Sequence, residues 1–276
     1  MSNGIPFLSV KGVSLPFTWE ESIKKLLADG KEAPSQYDRA GDPLTRDCTM
    51  VIDTINPTQE SMIHSFMPGG PIDLQEYCME VMDGVKDHWV RDPKNLNDHR
   101  WSYTYHGRIT KDFGVNQIDQ IVKKLIAQPF TRQAQFTTWM PATDPIDYDP
   151  PCLQRGWCRI LKNVNTGQLE FTSHITFRSR DALKAAFMNT FAFVRLFDER
   201  IRMPIEAALG VPILYARHVD FSDSYHIYGK DLKDIPAFMH CAGKYYNYKE
   251  DWKSMMEEYI PEIMDKIRKQ DEQRKA

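Results

Sequence analysis

The stretch DALKAAFMNTFAFVRLFDERI, residues 181–201, constrains the fold more than any other part of the chain. It reads as one long helix whose apolar residues surround much of its circumference instead of forming one stripe, and such a helix is buried on several sides. Other elements must wrap it. GWCRILKNVNTGQLEFTSHITFRS, just upstream, reads as a hairpin turning at Asn165-Thr166-Gly167. QAQFTTWMP and LYARHVDF read as strands on either side, and CTMVIDTINP as an earlier one, bracketed by Pro43, Pro57, Pro68 and Pro71 with Gly69-Gly70. DLQEYCMEVMDGV reads as a helix opening at an Asp cap, and VNQIDQIVKKLIAQP as a helix with Val115, Ile118, Ile121, Val122 and Leu125 on one face and Pro129 as the stop. The last 26 residues read as a frayed surface helix. Helices and strands alternate around one buried helix, so we expect a single α/β-type domain over residues 1–276.

The bulk numbers narrow the function classes. Of 276 residues, 42% are hydrophobic and 26% charged, the balance of a globular protein. A formal charge of -3 argues against a broad nucleic-acid or membrane-surface footprint. No apolar run has the length of a membrane span, and no basic leader precedes a hydrophobic stretch. Cysteines 48, 78, 152, 158 and 241 form neither an even set nor a CxxC pair, which supports neither a disulfide framework nor a zinc or other metal site. We therefore expect a cytoplasmic protein that works without nucleic acid or membrane.

Four short stretches could carry chemistry. YDPPCLQRGWCRI places Cys152 after a proline pair, ahead of a strand. Arg178-Ser179 ends a strand directly before the apolar helix, a combination suited to phosphate. Asn189 carries an amide into that helix, and SYHIY puts His226 and Tyr228 on one side of an extended segment. Taken singly, each also has an ordinary structural reading: a cysteine in a turn, a Ser cap, a satisfied amide, a packed aromatic pair.

In combination and in order, these stretches resemble the thymidylate synthase family, including its pyrimidine-nucleotide hydroxymethylase branch. The family's Trp-Asn-Pro, loop and Pro-Pro-Cys correspond to WMPATDPIDYDPPC. Its Arg-Ser-x-Asp, with Asn eight positions after the Asp, corresponds to RSRDALKAAFMN, its His-x-Tyr to SYHIY, and its Tyr five before an Arg to YTYHGR. The resemblance covers about residues 100–230. It implies an α+β domain with a mixed β-sheet packed around the long buried helix, and a homodimer formed through the sheet.

It also implies a reaction and roles. Cys152 would add to C6 of a pyrimidine nucleoside monophosphate, and C5 would then take a one-carbon unit from 5,10-methylenetetrahydrofolate as co-substrate. Arg178 would stabilise the thiolate. Arg178, Ser179 and Arg132 would hold the phosphate, Arg132 reaching across from the partner subunit. Arg39 stands where the family has an N-terminal phosphate loop, with Arg46 as the competing choice. Tyr103 would lie near the C5 proton, Asn189 would read the base, and His226 and Tyr228 the sugar. Asp181 would act in catalysis and contact the pterin, and Trp89 would lie on the folate side. The family glutamate would be Glu80, with Glu76 as the alternative.

Departures bear on the product. Leu153 replaces a His after the nucleophile, Arg132-Gln133 replaces a double arginine, Ser224 replaces an Asp, and DEQRKA differs from the family's apolar tail. These favour water over hydride as the group captured at C5, giving a hydroxymethylase acting on dUMP. The alternatives are reductive methylation and hydroxymethylation of dCMP or CMP. Readings from other classes are a catalytically inactive nucleotide- or RNA-binding homologue, and a cysteine hydrolase pairing Cys152 with His174 or His226.

Overall fold

The computed structural model describes residues 4–91 and 100–275. The strands are β1 (Phe7–Gly12), β2 (Lys31–Ala33), β3 (Thr45–Ile55), β4 (Ile63–His64), β5 (Gln135–Thr137), β6 (Leu153–Lys162), β7 (Leu169–Asp181), β8 (Ile213–Ile227) and β9 (Tyr245–Tyr246). The helices are α1 (Leu15–Asp29), α2 (Pro71–Asp83), α3 (Tyr105–Thr110), α4 (Gln117–Ala127), α5 (Ala186–Phe197), α6 (Met203–Leu209), α7 (Ile235–His240), α8 (Lys253–Glu258) and α9 (Ile260–Lys275). One mixed sheet runs β1-β3-β8-β7-β6-β5, with β2 added against β3, and β4 pairs β9 in a small second sheet. β1 is parallel to β3 and β7 to β8, and the remaining neighbours are antiparallel.

Alternation along the strands sends one set of side chains to the core. In β7, Phe171, Ser173, Ile175 and Phe177 are buried, while Thr172, His174 and Thr176 lie half-exposed on the other face. Onto the core face packs α5, with Phe187, Phe191, Phe193 and Phe197 buried. At roughly 1.5–3 kcal/mol for each fully buried phenylalanine, tertiary packing holds this helix more than intrinsic propensity does.

The elements differ from expectation in five places. β7 continues through Asp181, so the buried helix starts only at Ala186. That helix is also not continuous: Asp198–Arg202 forms a wider π turn before α6, which carries Pro204 in its first turn. Proline has no N–H to continue the ladder, and the wider turn accommodates the gap. α2 is preceded by Gly70, leaving Asp73 inside its first turn. In α4, Val115 lies outside the helix and is exposed. The C-terminal segment is not a frayed surface helix: Ile263 and Ile267, one turn apart on α9, are buried against Met79 and Trp89.

The N-terminal helix is tied down by a buried charge. Glu20 accepts hydrogen bonds from Lys24 Nζ (2.5 Å), Gly243 N (2.7 Å), the Tyr245 hydroxyl (2.9 Å) and His64 Nε2 (3.2 Å). Burial alone would raise its pKa, but these donors outweigh it and hold the carboxyl at about 2. A depressed carboxyl stabilises the fold above the unfolded value of 4.5, and the contribution is lost as pH falls toward 2. Acid titration followed by denaturant unfolding should show wild type losing on the order of 3 kcal/mol from this group across that window, and Glu20→Gln losing much less. Equal slopes in the two proteins would refute the assignment. Among the described residues no helix is long and apolar enough to cross a membrane.

Candidate active site

Cys152 is the residue immediately before β6, at the mouth of the hairpin with β7. Its carbonyl accepts from the Arg178 N–H at 2.8 Å, closing the first rung of that pair. The Pro-Pro turn before it cannot donate backbone hydrogen bonds, so its carbonyls are held from the side chains. Arg178 Nε reaches Pro151 O at 3.1 Å, Arg178 Nη2 reaches Pro150 O at 2.5 Å, and Gln154 Nε2 reaches Pro151 O at 2.7 Å. Arg178 therefore buttresses the loop that presents the thiol and also supplies the nearest positive charge. Burial pushes the Cys152 thiol up from its ordinary value, Arg178 pulls it down and Asp149 adds to the rise.

The thiol opens into a cavity of about 490 Å³ that also meets Arg178, Ser179, Ser224, His226 and Tyr228. These come from the ends of adjacent strands: β6 delivers Cys152, β7 the Arg-Ser pair, β8 the Ser-x-His-x-Tyr set. The loop after β2 forms the other wall, and Tyr37 stands edge-on to Tyr228 with ring centroids 6.0 Å apart. A second cavity of about 230 Å³ adjoins, lined by Glu80, Trp101, Ser102, Tyr103, Thr104, Tyr105 and Asp149. Asp149 lines both, so the two cavities are neighbours.

Geometry separates the two glutamates. Glu76 is held by Lys86 at 2.7 Å and by Lys266 of α9 at 2.6 Å, and despite burial these bonds keep its carboxyl below the usual range. Glu80 faces the second cavity with Lys86 as partner at 3.1 Å, and burial raises its carboxyl above the usual range. Gly84, with φ +66°, stops α2 one turn later, and a side chain there would collide with His106. Tyr103 and Tyr105 pack with ring centroids 5.6 Å apart, and burial pushes both hydroxyls up, so each serves as a neutral hydrogen-bonding group. The Tyr105 hydroxyl accepts the Leu153 N–H at 3.3 Å, and Leu153 itself points into the core, fully buried.

Other expected residues are not brought to these cavities. Arg39 is exposed in the turn after β2, its backbone bonded to Asp42, and Arg46 is occupied by Glu32 at 3.1 Å. Arg132 is exposed before β5, where its carbonyl receives the Trp157 indole. The Asp181 carboxylate caps the turn into α5, accepting from the Leu183 and Lys184 N–H groups. Asn189 Nδ2 donates to the Tyr77 hydroxyl at 2.5 Å. Trp89 is buried with its indole N–H on Asp271, and its neighbour Trp101 reaches the cavity instead. His174 lies on the far face of the sheet against Trp157. Sequence reading missed Asp47, Asp149, Tyr105 and Trp101. Of these, Tyr105, inside the YTYHGR stretch, and Asp149, three before Cys152, stood close enough to the motifs to be found.

No family model matches the chain. A curated protein named "Putative thymidylate synthase" from Methanocaldococcus jannaschii is 27% identical over 248 residues, covering 86% of this chain and 99% of that protein. One of the same name from Methanothermobacter thermautotrophicus is 25% identical over 232 residues, covering 78% and 91%. Among solved structures, thermostable thymidylate synthase A from Bacillus subtilis is similar in fold, with a TM-score of 0.61, 15% identity, and 84% of this chain and 85% of that chain covered. Similarity over most of the sequence and the shared mixed-sheet fold agree: the chain is similar to proteins named putative thymidylate synthase and has the thymidylate synthase fold.

Proposed function

We propose that this chain is a one-carbon transferase that moves a methylene unit from 5,10-methylenetetrahydrofolate to C5 of a pyrimidine nucleoside monophosphate, with water completing the transfer to give a 5-hydroxymethyl nucleotide. Cys152 Sγ adds to C6, and the C5–C6 electron pair shifts to make C5 a nucleophile. C5 bonds to the folate methylene, the C5 proton is lost to water held by the Tyr103 hydroxyl, and tetrahydrofolate leaves with the electrons of its C–N bond. Hydroxide from water then bonds to the exocyclic methylene, the Cys152–C6 bond breaks, and thiolate is released. Atoms balance as nucleotide, methylenetetrahydrofolate and water in, hydroxymethyl nucleotide and tetrahydrofolate out.

The observation that carries this reading is the convergence of Cys152, Arg178, Ser179, His226 and Tyr228 on one cavity, with Glu80 and Tyr103 in the adjoining one. Capture by water is favoured because the second cavity is lined by Glu80, Ser102, Thr104 and Asp149, polar groups able to hold a water beside the acceptor carbon. Reductive methylation is the second reading, favoured by the name the relatives carry. The preference for a uracil base rests on the family resemblance, in which the Asn189 amide would donate to O4 and accept from N3–H; here Asn189 is bonded to Tyr77 and lines neither cavity. The half-exposed sheet face bearing Val51, Trp157, Val219 and Phe221 supports a sheet-mediated homodimer, with Arg132 directed to the partner's phosphate.

The test is product analysis with dUMP, UMP, dCMP and CMP, each with methylenetetrahydrofolate, while dihydrofolate is followed by absorbance. We expect a uracil nucleotide heavier by CH2O and no dihydrofolate. A methyl-sized gain with stoichiometric dihydrofolate would make this a methylating synthase, and better turnover of a cytidylate would overturn the base preference.

A further inference from the structure

The polar corner of the nucleophile's cavity on its β3 side has an arrangement that the family motifs do not contain. Asp47 on β3 lies in register with His226 on β8. The Ser224 hydroxyl donates to both Asp47 oxygens, at 2.9 and 3.0 Å, and lies 3.2 Å from His226 Nδ1. His226 is only 5% exposed, and its Nε2 has no partner. Asp47, Ser224 and His226 all line the cavity that holds the thiol.

Hydrogen accounting sets what this corner can accept. Serine has one hydroxyl hydrogen, and here it is spent on Asp47. The contact between Ser224 Oγ and His226 Nδ1 then requires the imidazole to donate. Burial holds His226 below its ordinary pKa, so the ring is neutral with its one proton on Nδ1, leaving Nε2 a bare acceptor. The Asp47 carboxylate accepts from Ser224 and from the Cys48 N–H and keeps acceptor capacity toward the cavity. Two neighbouring acceptors with no donor of their own call for two neighbouring hydroxyls.

The strand order places them. Cys152 and Asp47 are separated by three strand spacings, β6 to β7 to β8 to β3, or about 14 Å between backbones. A base over Cys152 therefore puts the sugar at β8 and its hydroxyl edge toward β3. We propose that Asp47, acting with Ser224 and His226, binds the 2′,3′-diol of a ribonucleotide and makes this chain selective for ribose over deoxyribose. The inference rests on the nucleotide reading above and replaces the deoxyribose expected from the family resemblance. Asp47 and His226 take the two hydroxyls, Ser224 is a positioning residue that sets the tautomer, and a deoxyribose leaves one acceptor of this corner without its hydroxyl.

The experiment is calorimetric titration of the full chain with two matched pairs, UMP against dUMP and CMP against dCMP, so that base and sugar are read separately. Protection of Cys152 from iodoacetamide provides a second readout. Wild type should bind the ribose member of its preferred pair roughly tenfold or more tightly. Asp47→Ala should bring that ratio close to one, and Asp47→Asn, which retains an acceptor oxygen, should recover part of it. A ratio is insensitive to general loss of fold, and the deoxynucleotide affinity of each variant reports the remainder of the site. Wild-type binding of the deoxynucleotide as tightly as the ribonucleotide, or an equal loss for both sugars in Asp47→Ala, overturns the proposal. If no nucleotide binds or protects Cys152, the nucleotide reading itself fails and this inference fails with it.

Discussion

Cys152→Ala should abolish turnover, by at least about 10⁴-fold, while nucleotide binding stays measurable. The asymmetry follows from the geometry. Arg178, Ser179, His226 and Tyr228 contact the cavity independently of the thiol, whereas the described residues supply no other cysteine to it. Cys48, Cys78 and Cys158 are buried in the core, and burial pushes each of their thiols up. A 5-fluoropyrimidine nucleotide with methylenetetrahydrofolate should trap a covalent ternary adduct, because fluorine cannot leave C5 as a cation. Peptide mapping should place the adduct on Cys152. An adduct on Cys158 or Cys48, or substantial turnover by the Ala variant, would contradict the assignment.

Glu80→Gln should lower turnover by about 10²–10⁴-fold with little change in nucleotide affinity. Glu80 faces the second cavity, and burial raises its carboxyl toward the pH range where a proton can be given and retaken. Glu76→Gln should behave differently, because Glu76 is locked between Lys86 and Lys266 and its main work is to join α2 to α9. Its loss should appear chiefly as a lower melting temperature. The pH profile separates the roles: the limb from a carboxyl titrating above its ordinary value should vanish in Glu80→Gln and persist in Glu76→Gln. The reverse pattern would exchange the two residues.

Much of the candidate site was legible in the sequence because its groups sit beside strand ends that local pattern marks. Cys152 follows a proline pair that must end one segment before a strand begins, and Arg178-Ser179 closes an alternating run. His226 and Tyr228 likewise keep a spacing of two on an extended segment. The buried helix was legible for the same reason, since its apolar surround is a property of consecutive residues.

Tertiary structure decided whatever depends on pairing between distant segments. Asp47 meets Ser224 across 177 residues of chain, through a β3–β8 register that no local pattern specifies. Trp89 is drawn to Asp271 across 182 residues, which makes Trp101 the indole at the cavity, and Arg46 is taken by Glu32 across a short hairpin. A charged or indole side chain goes to whichever partner the fold brings within hydrogen-bonding range, and burial then decides what that partner is worth. The sequence by itself determined which groups stand at the strand ends. Only the packed sheet determined which of them share a cavity, because that depends on strand order, and strand order is written in contacts between residues far apart in the chain.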